Sequence, residues 1–193
     1  MRALGQTTKR RMMVLAMAFT LAAPGITFAA SKAESQAKVR QQAQEVLSAL
    51  YKVQPSARKA VESAAGYAAF SNFGMKILVA GGGSGAGIAV NNKTRAVTYM
   101  KMAEVQAGLG FGVKKFKLVW VFETQKALNT FINSGWELGG QATASAKVGS
   151  TGAAYQGALS VSPGVWVYQL SGDSLALELT AKGTKYYKDK DLN

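Results

Sequence analysis

The sequence predicts an α+β fold, in which two N-terminal helices precede a glycine-rich, strongly bent or barrel-like antiparallel sheet with one inserted helix. Apolar residues recur every three or four positions up to Ser63, which is typical of amphipathic helices. From Tyr67 onwards they recur at every second position, which is typical of strands. The chain has 21 glycines, concentrated between Gly66 and Gly149, and this density indicates turns, bulges and close approach of backbones within the sheet.

The first 29 residues have the pattern of a secretory signal peptide. Arg2 and the basic run 9–11 precede an apolar run, 12–23, that is too short to span a bilayer. Pro24 and Gly25 interrupt this run, and small residues then occupy the two positions that a signal peptidase reads. We expect cleavage after Ala29 and a periplasmic or secreted protein, soluble or peripheral to a membrane. The alternative is an uncleaved N-terminal anchor.

Residues 30–193 are predicted to form one domain, with a helical part at 30–65 and a mainly β part at 66–193. Loss of residues 1–29 removes four basic residues and no acidic one, which lowers the formal charge from +13 to +9. This excess favours an anionic partner, such as lipid head groups, acidic polysaccharide or nucleic acid. The predicted export argues against nucleic acid.

The chain contains neither cysteine nor histidine. Their absence excludes histidine-based catalytic triads, thiol nucleophiles and the usual zinc ligand sets. It also excludes a lipoprotein anchor, because that anchor requires a lipidated cysteine. Two carboxylates could support glycoside hydrolysis without histidine, but nothing in the spacing of the acidic residues suggests such a pair. We expect a non-catalytic protein without a metal site or a cofactor.

The helical part is predicted to contain two helices. The first extends from about Ser35 to Val53, and its apolar face carries Val39, Ala43, Val46, Leu47, Leu50 and Tyr51. Pro55 ends this helix. Ser56 is expected to cap a second helix through Ser63, and Gly66 to terminate it.

The strand pattern that follows is interrupted once. Asn91, Asn92 and Lys93 predict a hairpin turn, and residues 103–113 alternate as one strand. Residues 116–122 are apolar on both faces, which predicts a strand covered on both sides. Thr124 is expected to cap a helix near 124–133, which Gly135 ends. Ser162, Pro163 and Gly164 predict a bend or bulge.

The glycine cluster at 81–87 fits a relaxed dinucleotide-binding fingerprint. That motif requires a helix immediately after the glycines, whose N-terminus receives the pyrophosphate. Residues 88–91 instead predict a strand that leads into a turn. We therefore interpret the glycines as required by a crowded strand crossing.

An ordered series of short motifs resembles the SYLF domain family. Gly-Tyr-Ala-Ala-Phe at 66–70 resembles the opening element, although Ser71 stands where proline is usual. The glycines at 81–87, Gln-Ala-Gly-Leu-Gly at 106–110 and the apolar strand at 119–122 follow in order. The series continues with Ala-Leu-Asn-Thr-Phe at 127–131 and Gly-Trp-Glu-Leu-Gly at 135–139. The resemblance implies lipid binding, to which basic and amphipathic N-terminal residues contribute. The yeast members of this family also bind actin, but we do not expect an exported protein to do so.

Two basic groups are the candidate lipid-binding residues. The first lies on the N-terminal helices, and we expect the second between two strands. They comprise Lys38, Arg40, Lys52, Arg58, Lys59, Lys114, Lys115 and Lys117. In the alternative interpretation, the first helix simply packs on the sheet and the second group is a solvated turn. The lysines after residue 181 predict a solvated tail, docked through Tyr186 and Tyr187.

The leading functional hypothesis is an exported module that binds anionic phospholipid or a membrane surface. Its basic residues would contact head groups while apolar residues of the helices add contact with the lipid interface. The alternative is a structural or interaction protein of the cell envelope that binds a protein or an acidic glycan.

Overall fold

A computed structural model describes residues 25–77, 80–107, 112–138, 147–148, 155–172, 174–176 and 183–193. Three helices and ten strands occur in these ranges. The helices are α1 (Gly25–Val53), α2 (Ser56–Ser63) and α3 (Gln125–Ser134). The strands are β1 (Gly66–Ile77), β2 (Ala80–Asn91), β3 (Val97–Ala107), β4 (Gly112–Phe122), β5 (Trp136–Leu138), β6 (Lys147–Val148), β7 (Leu159–Ser162), β8 (Val165–Ser171), β9 (Ser174–Leu175) and β10 (Thr184–Lys188). The predicted α+β class is confirmed.

All pairings between the described strands are antiparallel, in the order β5-β10-β3-β2-β1-β4-β8-β7-β6, with β9 added to β8. The C-terminal segment is therefore a strand of the sheet, so the prediction of a solvated tail was wrong, whereas its docking through Tyr186 is confirmed. β10 lies between β5 and β3, and the Tyr186 side chain is fully buried. Backbone pairing with these two strands and burial of this ring together hold the segment in the sheet.

The sheet is strongly curled. Trp136 on β5 and Trp120 on β4 are five strands apart in the sheet order, which corresponds to roughly 24 Å in a flat sheet. Their ring centroids are nevertheless only 5.9 Å apart. Such a contact requires the strands between them to bend the sheet round on itself, as the sequence predicts.

The two faces of the sheet carry separate cores. Phe70, Leu118, Trp120 and Phe122 lie on the concave face and pack against α3. Val119 and Val121, which alternate with them on β4, face α1 and α2 on the other side. The prediction that this strand is covered on both faces is confirmed.

The glycines of β2 permit the close strand packing that the curl requires. A Cβ on Gly85 would lie 2.6 Å from Met102 Cγ and 2.7 Å from Ser71 O. A Cβ on Gly87 would overlap the Ala69 carbonyl and the Phe70 ring. β2 continues through residues 88–91, so the strand predicted after the glycines is confirmed, and a helix that could receive a pyrophosphate does not follow them.

Several local predictions are corrected. α1 begins at Gly25 instead of near Ser35. Ser56 is the first residue of α2 and its side chain does not cap the helix, since Pro55 occupies the capping position. Gly66 starts β1, where a Cβ would meet Leu128, and it does not end α2. Residues 103–107 and 112–113 belong to different strands, so the pattern read as one strand covers two.

Other local predictions are confirmed. The Thr124 side chain accepts a hydrogen bond from Ala127 N at the start of α3, and Gly135 ends this helix with φ +74°. A register shift at Ser160/Ser162 and a turn at Pro163–Gly164 join β7 to β8. In the described ranges, no helix has the length and apolarity needed to cross a membrane.

Candidate functional site

A groove of about 650 Å³ lies between the N-terminal half of α1 and the sheet. Lys38 enters it from α1, Lys101 from β3 and Lys115 from β4. We call this site the lysine groove. Its described lining is Ser35, Lys38, Val39, Gln42, Ser71, Ser84, Gly85, Ala86, Lys101, Met102, Lys115 and Tyr187.

Sheet register places these basic side chains on the face that α1 covers. Lys101 is opposite Ala86, Ala86 is opposite Ser71, and Ser71 is opposite Lys117, so all four share one face. Lys115 is two residues before Lys117 and points to the same face. Cations that are distant in sequence therefore converge along one side of the sheet.

Lys101 is held in the lysine groove by two carboxylates. Its Nζ lies 2.9 Å from Asp189 Oδ1 and 2.9 Å from Asp191 Oδ2. Hydrogen bonds to Asp191 and Asp189 raise the pKa of Lys101, and the bond from Lys101 lowers the pKa of Asp191. Lys101 thus stays charged, and the two carboxylates together more than offset its single positive charge.

The C-terminal residues connect α1 to this end of the sheet through hydrogen bonds. Lys32 Nζ donates to Asn193 O at 3.1 Å, and Gln36 Nε2 donates to Leu192 O at 2.7 Å. Asn193 in turn accepts from Tyr99 N at 3.0 Å and donates to Tyr99 O at 2.8 Å. These bonds fix the position of α1 above β3, beside the lysine groove.

The structure brings together two of the eight predicted binding residues. Lys38 and Lys115 both line the lysine groove, whereas Lys117 is half-buried and does not. All three lysines at 114, 115 and 117 lie within β4, so their placement between two strands was wrong. The side chain of Lys114 is outside the described residues.

The remaining predicted cations are elsewhere. The Arg40 guanidinium lies 5.3 Å from the centroid of the Tyr99 ring and donates to its hydroxyl. Arg58 lies over Tyr51 and lines a different pocket. Lys52 and Lys59 are exposed and line neither pocket.

The apolar face of α1 is used by the protein core. Val39, Ala43, Val46, Leu47 and Leu50 are all buried against the sheet. The prediction that this helix packs on the sheet is therefore confirmed for the side chains that the structure describes. These side chains are unavailable for insertion into lipid in this conformation.

Lys101 and Tyr187 are the residues that sequence reasoning missed. Val97, Tyr99 and Lys101 alternate on β3, and the first two pack in the core beneath α1. This alternation could have assigned Lys101 to the α1 face. Tyr187 lines the lysine groove because β10 pairs with β3. These strands are far apart in the sequence, so no local sequence pattern predicts this pairing.

In the described part of the chain, no group of three histidine, cysteine or acidic residues could hold a metal ion. Glu104 is buried on the concave side of β3 and has an interaction partner. Glu123 Oε1 accepts from Trp166 Nε1 at 2.9 Å. Both carboxylates therefore make structural contacts.

Comparisons with known proteins reveal two similarities. Residues 103–193 match the family Ysc84, described as the Las17-binding protein actin regulator. The chain is also 32% identical over 161 residues to beta cell expansion factor A of Aeromonas veronii. The matched region covers 82% of this chain and 59% of that relative, so the chain spans little more than half of its length.

Proposed function

The chain belongs, through residues 103–193, to the Ysc84 (SYLF) family, and we propose that it binds anionic phospholipid head groups at the lysine groove. Family membership is consistent with lipid binding in general. The head-group specificity, the location of the site and the absence of catalysis are parts of the proposal.

The observation that carries the proposal is the charge of the lysine groove. Lys38, Lys101 and Lys115 line it, and none of its described lining residues is acidic. Asp189 and Asp191 both pair with Lys101, so these three lysines and two aspartates together carry one net positive charge, to which Lys38 and Lys115 contribute as lining residues. Near an anionic bilayer, each basic side chain contributes about 1 kcal/mol to binding.

The neighbouring polar groups suit a phosphate group. Ser71 and Ser84 add hydroxyls to the lining, and hydroxyls and ammonium groups both donate hydrogen bonds to phosphate oxygens. Tyr187, 41% exposed, adds an amphipathic ring, a type of side chain that favours the membrane interface. Since the apolar face of α1 is buried, we propose attachment through charge and this ring, without insertion of the helix.

We also propose that the protein is exported, with residues 1–29 as its signal peptide. In that location the groove would meet the surface of an envelope membrane or of a membrane outside the cell. We propose neither nucleic acid nor actin as a partner. Actin regulation is part of the description of the matched family, and we do not propose it for this protein.

Co-sedimentation with vesicles tests the proposed function. The protein is mixed with phosphatidylcholine vesicles, with or without phosphatidylglycerol, at increasing salt concentration. We expect binding only to the anionic vesicles, and weaker binding as salt screens the charges. Equal, salt-independent binding to both vesicles would contradict the electrostatic mechanism, and recovery of one stoichiometric envelope protein without vesicle binding would favour the alternative hypothesis.

A further inference from the structure

A second pocket, of about 370 Å³, lies among the C-terminal half of α1, α2 and the turn between β2 and β3. Two arginines, Arg58 and Arg95, come from different elements of the fold. Two tyrosines, Tyr51 and Tyr67, add ring faces and hydroxyls. The full described lining is Gln44, Leu47, Tyr51, Arg58, Val61, Glu62, Tyr67, Asn92 and Arg95, and we call it the arginine pocket.

Arg95 occupies its position at a conformational cost. Its φ is +61°, and it is the only non-glycine residue with a positive φ in the described ranges. Asparagine or glycine adopts this backbone conformation more easily than arginine. Strained residues of this kind concentrate at functional sites, so the side chain of Arg95 needs an explanation beyond the turn.

The turn itself is built by Asn91 and does not depend on the Arg95 side chain. Asn91 Oδ1 accepts from Lys93 N at 3.0 Å and from Thr94 N at 3.1 Å, and Asn91 O accepts from Arg95 N at 2.8 Å. Within the described residues, the guanidinium of Arg95 forms no ion pair. It therefore lines the pocket with its charge uncompensated by a carboxylate.

Arg58 is positioned by an aromatic ring. Its guanidinium carbon lies 4.5 Å from the centroid of the Tyr51 ring. This cation–π contact stabilises the guanidinium in its position over the ring. Glu62 Oε1 is 3.6 Å from Arg58 Nη1, but both side chains are more than half exposed. Such a pair contributes little and can separate when a competing anion arrives.

We propose that the arginine pocket binds the phosphate group of a small solute, with Arg58 and Arg95 as its cationic ligands. An arginine fork donates two parallel hydrogen bonds to a phosphate, which gives directional recognition that lysines lack. The pocket volume lies at the lower end of the range for small-molecule sites. Leu47 and Val61 offer apolar contact to the remainder of such a solute.

The tyrosine hydroxyls support the same ligand. Burial raises the pKa of Tyr51 to about 12 and also raises the pKa of Tyr67. Both hydroxyls stay protonated at neutral pH and are able to donate to phosphate oxygens. The two arginines and Glu62 leave a net charge of one positive unit, which suits an anionic ligand.

This inference is independent of the proposed lipid function. The arginine pocket and the lysine groove share no lining residue. Loss of vesicle binding through the lysine groove would leave the phosphate site untouched. The phosphate source is a free solute in our proposal, and a lipid head group is an outcome that the experiment separates.

Calorimetric titration of the full chain with inorganic phosphate, at constant ionic strength, tests the proposal. Arg95→Asn removes the cation and relieves the backbone strain, so we expect an unchanged or higher unfolding temperature together with an affinity loss of about tenfold or more. Glu62→Gln removes the competing carboxylate and should strengthen phosphate binding. Lys93→Asn removes a cation from the same turn outside the pocket and should leave the affinity unchanged.

Saturable phosphate binding that is lost in Arg95→Asn, retained in Lys93→Asn and enhanced in Glu62→Gln supports the proposal. Equal affinity of Arg95→Asn and the parent protein would overturn it. The proposal would also be overturned if phosphate does not bind, while vesicles containing phosphatidic acid bind in an Arg95-dependent way. That last result would assign the arginines to a lipid surface.

Discussion

The Trp120 and Tyr186 rings meet edge to face with their centroids 4.9 Å apart, although their strands are four positions apart in the sheet. Both side chains are fully buried on the concave face. Trp120 Nε1 and Tyr186 Oη make no hydrogen bond of good geometry within the described structure, although the Trp120 indole lies close enough to the Tyr186 hydroxyl to lower its pKa against the larger effect of burial. Contact between these two rings therefore adds a link from the last strand to β4, beyond its backbone pairing with β3 and β5.

Truncation of Tyr186 tests this contact. Tyr186→Ala removes the ring from the aromatic cluster, and we expect a loss of about 3–5 kcal/mol in the free energy of unfolding. Tyr186→Phe keeps the ring and removes a hydroxyl that makes no hydrogen bond of good geometry, so its stability should be close to that of the parent protein. Urea unfolding measures both variants. A large loss in Tyr186→Phe would show that the hydroxyl is bonded.

Stability should fall at alkaline pH. Burial raises the pKa of Tyr168 to about 12 and raises the pKa of Tyr186 further above its usual value. The unfolded chain then releases these protons before the folded chain does. The stabilisation that these protonated tyrosines give to the folded state is present in full below about pH 10, the usual tyrosine pKa. It is lost as the pH rises above that value.

Unfolding free energies measured in urea across this pH range check the prediction. Tyr168→Phe and Tyr186→Phe should each show a shallower decline than the parent protein, because one buried ionisable group is absent. Identical slopes in all three proteins would contradict the assignment.

The glycines of β2 are predicted to differ in their tolerance of a side chain. A Cβ at Gly87 would overlap the Ala69 carbonyl and the Phe70 ring, so Gly87→Ala should cost about 1–3 kcal/mol of stability. At Gly82 the nearest atom, Glu104 O, would be 3.5 Å from the new Cβ, and Gly82→Ala should be tolerated. Thermal unfolding compares the two, and equal destabilisation would argue against crowding as the reason for these glycines.

Export predicts a shortened protein. Expression of the full sequence in a bacterial host, followed by mass spectrometry of the periplasmic fraction and the medium, should yield a chain that begins at Ala30. A full-length chain retained in the membrane fraction would instead support an N-terminal anchor.

The sequence predicted features that depend on local chemistry. Thr124 and Gly135 delimit α3 because a cap and a positive φ are local requirements. Alternation predicted the two-sided burial of β4. The role of Gly66 was missed because its close neighbours, Val90 and Leu128, are remote in sequence.

The candidate site was harder to predict for the same reason. Lys38 and Lys115 were selected for their charge, yet only the strand register brings them to one groove with Lys101. Residues 114–117 were placed between strands because lysines suggest a solvated turn. In a half-exposed strand, however, a long basic side chain extends from the sheet to solvent.

We propose that anionic membranes bind at the lysine groove and not through the general positive charge of the protein. The most direct test compares the double variant Lys38→Glu/Lys115→Glu with Lys93→Glu/Lys126→Glu, which changes net charge equally at exposed sites outside the groove. Binding to phosphatidylglycerol-containing vesicles should fall roughly thirtyfold or more in the groove variant and far less in the control. Equal losses in two well-folded variants would contradict the claim.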